Sequence, residues 1–306
     1  MNNETILGAL DPELTQDMTS RREVIRSAGA LGAKLALASI PLGVAAMAKT
    51  AFSQTALPAQ IVNALNFALI LEELEAEFFT IGTGGMAMSG GTVAAGLVPG
   101  RDRPIFDTIR DHEQEHVRFL RGVLGAQAVA KPTFDFTGGR GSGSGPFADV
   151  FTNYTTFQAL AQAFEDTGVR AYKGQAPELF GNKDVLERAL EIHSVEARHA
   201  SMVRRLRGNF TEMAPQKGWL TGNQRGTGMP AATQPIYDGE ENVLQGAPPA
   251  PAPGINVQTL NFAPTGVPAV TPAVAAATAA SESFDEPLTR AQVVAIVQPF
   301  IVQTIS

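Results

Sequence analysis

All four histidines of this 306-residue chain lie in two short stretches that carry the same motif. "DHEQEHVRFL" (111–120) contains Glu113-x-x-His116, and "IHSVEARHAS" (192–201) contains Glu196-x-x-His199. On an α-helix an offset of three places both side chains on one face, a turn apart. Ile109 and Leu120 continue that face around the first pair; Leu186, Leu190 and Val203 do so around the second. A carboxylate and an imidazole on a core-facing stripe are costly unless they are paired or hold a metal. Any fold of this chain must therefore bring two helices together with these groups inside.

The punctuation around the motifs predicts four long helices. The first covers about 58–81, from Pro58 to Gly82, and a glycine-rich loop (82–100) follows. The second covers about 103–124 and stops at Gly125; a long connection, 125–146, contains "KPTFDFTGGRGSGSGP". The third is read at about 147–173 and the fourth at about 183–207. The first and third helices each present a glutamate on an apolar stripe. Glu72 lies with Ile61, Leu65, Ala68 and Phe79; Glu165 lies with Ala161, Phe164, Gly168 and Tyr172. The order is thus Glu helix, Glu-x-x-His helix, Glu helix, Glu-x-x-His helix, an internal repeat of helix pairs. Ala, Leu and Val dominate and aromatics make up 7%, which suits an all-α core of packed helices.

With no cysteine in the chain, disulfides, thiolate zinc sites and cysteine nucleophiles are excluded, so a metal here needs oxygen and nitrogen ligands. A formal charge of −7 with no basic cluster beyond the N-terminus argues against nucleic acid as a partner.

The segment 1–48 has the parts of an export signal in order: Arg21-Arg22, a weakly apolar stretch, and a closing Ala-Met-Ala. Arg21-Arg22 followed by Val24, Ile25 and Arg26 resembles the twin-arginine class. The resemblance implies a periplasmic or extracellular protein that meets the membrane only through this segment before its cleavage. Behind the helices (57–207), residues 208–283 are rich in Gly, Pro, Ala and Thr from 221 onward and read as irregular wrapping. The last piece, 284–306, opens with a Thr289-x-x-Gln292 capping box and predicts a short helix. It would dock on the bundle or on a neighbouring subunit, the latter making a homo-oligomer.

One Glu from each of two helices and Glu-x-x-His from the other two is a known ligand set of dinuclear carboxylate bundles. On these residues the chain resembles the ferritin-like group that includes exported bacterial proteins and plant desiccation-related proteins. The resemblance implies a four-helix bundle with a long crossover between helices 2 and 3, and an irregular C-terminal extension after it. It implies two Fe ions, or alternatively two Mn ions, with Glu113 and Glu196 bridging. His116 and His199 would bind one metal each, with Glu72 and Glu165 as terminal ligands. Phe79 stands where many relatives have tyrosine, which weakens any tyrosine-assisted electron transfer on the first half; Tyr172 keeps the hydroxyl on the second.

The neighbouring polar groups are read separately. Glu75 shares the face of Glu72 and is either a ligand or an acceptor just outside the site. Glu73, Glu77, Asp111, Glu115 and Asp166 are read as solvated. His193, one turn before Glu196, is read as orienting the site from outside, with ligation as the alternative, and His112 as an outer partner or a surface group. Three functions remain open: a di-iron or di-manganese oxidoreductase acting on O2 or peroxide, a metal-sequestering stress protein, and a structural bundle whose acids are merely paired. Changing Arg21 and Arg22 together to lysine should leave unprocessed precursor in the cytoplasm, and the wild-type mature N-terminus should lie near Lys49. Fractionation and N-terminal sequencing check both; normal export of the variant would refute the signal.

Overall fold

The computed structural model describes residues 57–84, 94–208, 217–245, 255–257 and 278–305, all of them within the unit Ala45–Ser306. The expected export signal, 1–48, lies outside the described residues. Five α-helices are named here: α1 (Ala59–Gly82), α2 (Arg103–Leu124), α3 (Tyr154–Gln175), α4 (Lys183–Arg207) and α5 (Arg290–Val297). A pair of two-residue antiparallel strands, Leu244–Gln245 with Ile255–Asn256, is the only named β structure among the described residues. None of the described helices is long and apolar enough to cross a membrane.

Cross-helix bonds fix the relative directions. From α2 to α1, Arg121 donates to Glu73 (2.7 Å), Gln114 to Thr80 (3.1 Å) and Arg110 to Thr83 (3.0 Å). As one number rises the other falls, so the two helices are antiparallel. From α4 to α3, Arg204 reaches Asp166 and Arg207 reaches Gln162, again antiparallel. The Tyr154 hydroxyl at the start of α3 donates to Asp102 at the start of α2 (2.9 Å), so these two helices begin at the same end. At that end the interior is aromatic. Phe78 stacks on Phe157 with centroids 4.8 Å apart, and Phe79 and Phe106 close around them.

Helix α3 starts at Tyr154, seven residues later than the apolar pattern suggests. Asn153 is the reason: its side chain accepts from the Thr155 N–H (3.0 Å) and caps the helix. Residues 147–153 form turns that still bury Phe147 and Val150. In the preceding connection, Asp135 organises the backbone. Its carboxylate accepts from the N–H groups of Thr137, Gly141 and Gly143 and from the Thr137 hydroxyl. The C-terminus pairs with this loop: Asp135 N–H donates to the Phe300 carbonyl (2.8 Å) and Val302 N–H to the Thr133 carbonyl (3.0 Å). The capping box at Thr289 and Gln292 is formed, with Gln292 N–H donating to the Thr289 hydroxyl.

From Ala159 to Tyr172 every residue of α3 is buried. An ordinary two-layer packing would leave one face of such a helix wet. Here the chain after α4 covers that face. Arg170 donates to the carbonyls of Glu286 (2.7 Å), Asp238 (3.1 Å) and Ile236, and pairs with Glu240 (2.7 Å). The Tyr237 hydroxyl donates to Asp166 (2.8 Å), which Arg204 holds from the other side. Leu288 donates its N–H to the Arg170 carbonyl (3.1 Å). Gly174 allows that approach, since a Cβ there would sit 1.9 Å from the Leu288 oxygen.

The packing overturns several surface assignments, the C-terminal cover that of Asp166 and partners from α2 and the connection those of Glu73 and Glu77. Asp166 is buried and bonded to Arg204 and Tyr237; Glu73 and Glu77 are buried and paired with Arg121 and Lys131. In the opposite sense Leu190, read as core, is 46% exposed. The inward stripe of α4 runs instead through Val185, Ala189, Ile192, Val195 and Val203. Arg204→Ala should strand the buried Asp166 carboxylate and lower the unfolding free energy by about 3–5 kcal/mol. Chemical denaturation checks this; a loss as small as that of an exposed ion pair would mean that the extension does not cover α3.

Candidate metal centre

Helix geometry alone delivers the six side chains singled out by spacing. Glu72 enters from α1, Glu113 and His116 from α2, Glu165 from α3, and Glu196 and His199 from α4. All six are buried, the four glutamates and His199 completely. They meet in two overlapping groups: Glu72, Glu113, His116 and Glu196; and Glu113, Glu165, Glu196 and His199. Within each group one ligand atom from every residue lies within 4.8 Å of the others. Glu113 and Glu196 belong to both.

The contacts inside the cluster are those of donors converging on common points. His116 Nδ1 lies 3.0, 3.1 and 3.3 Å from carboxylate oxygens of Glu72, Glu113 and Glu196. His199 Nδ1 lies 2.8 Å from Glu113 and 3.3 Å from Glu165, without the alignment of a hydrogen bond. Both oxygens of Glu165 and of Glu196 lack a hydrogen-bond partner, as does Glu113 Oε1. Buried oxygens normally have partners. Several orphaned donor atoms facing one another fit a cation or a pair of cations, and carboxylate with imidazole suits iron and manganese.

The electrostatics say the same. Burial raises Glu72 to about 7, with His116 opposing and Glu113 adding to the rise. Glu196 rises to about 8 through burial and the charges of Glu113 and Glu72. Glu165 and Glu75 are pushed well above the carboxylate range by burial and then by Glu196. Burial pushes Glu113 up too, but the His116 and His199 imidazoles outweigh it and hold it below the usual range. Without a cation, most of these acids resist ionisation.

The surrounding groups depart from expectation. Glu75 is buried beside the cluster but belongs to neither group. The ring nitrogens remote from the cluster lack the carboxylate or carbonyl partners that usually orient a ligating imidazole. His199 Nε2 lies 2.9 Å from His112 Nδ1, and His116 Nε2 has no partner. His193 belongs to neither group, and its Nδ1 is buried without a hydrogen-bond partner. Two contributors were not foreseen. The Tyr172 hydroxyl donates to Glu72 Oε1 from the opposite half. Gly168 makes room for Glu196, whose Oε2 would lie 2.8 Å from an added Cβ; its signal is a glycine one turn after Glu165 on the same stripe.

Residues 60–209 match the family model described as a ferritin-like domain. The chain contains a ferritin-like domain. Its bounds enclose α1 to α4 and therefore all six converging residues. Comparisons with curated proteins and with solved structures find no match.

The raised carboxylates make a pH prediction for the metal-free ferritin-like domain. A group whose folded pKa lies above its unfolded value stabilises the fold at low pH, and that stability is lost as pH rises through the folded value. For Glu72 and Glu196 the loss begins above the ordinary carboxylate value of 4.5 and is complete only once pH has passed about 7 and about 8 respectively, and raised His116 acts in the same direction. His199, lowered by burial, works oppositely, but its effect is complete once pH passes the ordinary imidazole value of about 6.5. Metal-stripped protein should thus melt several degrees lower at pH 9 than at pH 7, measured by thermal denaturation. Metal-loaded protein should show little of this, because its carboxylates are already ionised as ligands.

Proposed function

We propose that this chain is an exported ferritin-like four-helix bundle holding a dinuclear iron or manganese centre. The single observation that carries the reading is the sharing of Glu113 and Glu196 by both groups of converging ligands. A carboxylate common to two clusters is what a bridge between two cations requires. Glu72 and His116 would complete one position, and Glu165 and His199 the other. The connection 125–146 serves as the long crossover that lets α2 and α3 begin at the same end. The described residues of the extension, 217–245 and 278–305, include those that cover α3. The Arg21-Arg22 pattern supports delivery by the twin-arginine route, which fits a protein that takes up its metal before export. Protection against oxidative or desiccation stress outside the cytoplasm is the role this combination favours.

Bound at this cluster, two redox-active ions supply two electrons in concert, which suits O2 or peroxide. The chain's own residues do the rest. The Tyr172 hydroxyl fixes the rotamer of Glu72 by donating to Oε1, leaving Oε2 toward His116. His112 orients the His199 ring from behind. The aromatic packing of Phe78, Phe79, Phe106 and Phe157 keeps bulk water from that end. Glu75, pushed well above the usual carboxylate range by burial and by Glu196, resists ionisation beside the cluster.

Metal analysis of protein expressed with its signal intact tests the reading. Wild type should carry about two transition-metal ions per chain, as two shared-ligand positions require. Glu113→Ala should lose both, because it contributes to both positions, whereas His116→Ala should retain about one. Wild-type protein that binds no iron or manganese on loading would refute the centre.

A further inference from the structure

One turn from the cluster, between the four long helices, lies a cavity of about 20 Å³, room for a single water-sized or diatomic molecule. Its walls include Ala64, Ala68 and Leu71 of α1, Phe119 of α2, Ala171 of α3 and Ala189 of α4. All six are buried. The space exists because alanines stand at four wall positions that larger side chains would fill. It lies at the end of the helices opposite the phenylalanine packing, where α1 and α4 begin and α2 and α3 end.

Tyr172 links the cavity to the cluster: it lines the cavity and donates its hydroxyl to Glu72. Apart from Tyr172 and Gln175, every lining residue is apolar. A water needs two to four polar partners to settle in such a place, and hydrogen peroxide is at least as demanding; an apolar void of this kind stays dry and takes apolar guests.

We propose that this cavity is a binding place for dioxygen beside the metal cluster. The inference rests on the metal-centre reading and names its small-molecule partner: an apolar diatomic gas, held against the Glu72–Tyr172 side of the site, with peroxide excluded from the same space. The four alanines set its capacity, and the size of residue 68 or 189 controls its occupancy.

Xenon is a suitable probe because it is apolar, of similar size, and visible in diffraction. Crystals of the metal-loaded protein pressurised with xenon should show one atom among Leu71, Phe119 and Ala171. Ala68→Leu should abolish it, and Ala189→Val, a smaller change from another helix, should weaken it. In rapid mixing of ferrous-loaded protein, 2 Fe2+ + O2 + 2 H+ → 2 Fe3+ + H2O2 should slow at least about tenfold in Ala68→Leu, while oxidation by added peroxide stays within about twofold. No xenon in the metal-loaded wild type would overturn the proposal, as would rates with both oxidants falling together, or an O2 rate that survives filling the cavity. Xenon in a protein that binds no metal would instead overturn the metal-centre reading, and the cavity's role with it.

Discussion

The structure is organised around the burial of acid. Glu72, Glu75, Glu113, Glu165 and Glu196 come within one small volume and are all but inaccessible to water. An isolated buried carboxylate costs several kcal/mol, and like charges raise that cost. Two histidines cannot offset five such groups. The fold tolerates the arrangement because the long helices hold the backbones apart at fixed positions and let the side chains reach inward from four directions. A cation would convert the same arrangement from a liability into a binding site.

That cost has to be balanced by packing elsewhere, and the C-terminal part of the chain provides it. By sequence, residues beyond α4 read as irregular wrapping followed by a short docking helix. In the structure they give α3 a second covered face, anchored by Arg170, Asp166 and Tyr237. The final residues then tie back to the connection before α3 through Phe300 and Val302. Helix α3 carries Glu165, Gly168 and Tyr172, so the covering segment stabilises the helix that supplies one donor, makes room for another and orients a third.

What was legible in the sequence was local. The offset between Glu113 and His116, and between Glu196 and His199, is a property of one helix turn. The stripes through Glu72 and Glu165 follow from the same periodicity. The convergence of these six side chains could therefore be read before any packing was known. What was not legible depended on which segment covers which face. Asp166 looks like a surface acid until Tyr237 and Arg204 are placed beside it, and Leu190 looks like core until the true stripe of α4 is seen. The start of α3 was misplaced because apolar residues at 147 and 150 continue the helical pattern, while Asn153 decides the boundary through one capping bond. His112 could not be assigned because its partner, His199, lies on another helix.

The internal repeat of helix pairs is real in ligand type but broken in its surroundings, and the break has a direction. Tyr172 of the second half supports Glu72 of the first, whereas at the matching place in the first half Phe79 has no hydroxyl to give Glu165. His112 of the first half supports His199 of the second, whereas the outer nitrogen of His116 has no partner. The apolar cavity touches the Glu72 side, while the phenylalanine packing closes the other end of the helices. Two positions with the same donor set therefore sit in different fields: one with a tyrosine-bonded carboxylate and an unsupported imidazole, the other with a freer carboxylate and an imidazole backed by a second ring. Hydrogen bonds to ligands alter how strongly those ligands donate. The two groups of candidate ligands are in this way unequal, and the inequality comes from Tyr172 standing where the first half has Phe79 and from His112, whose matching position in the second half is Val195.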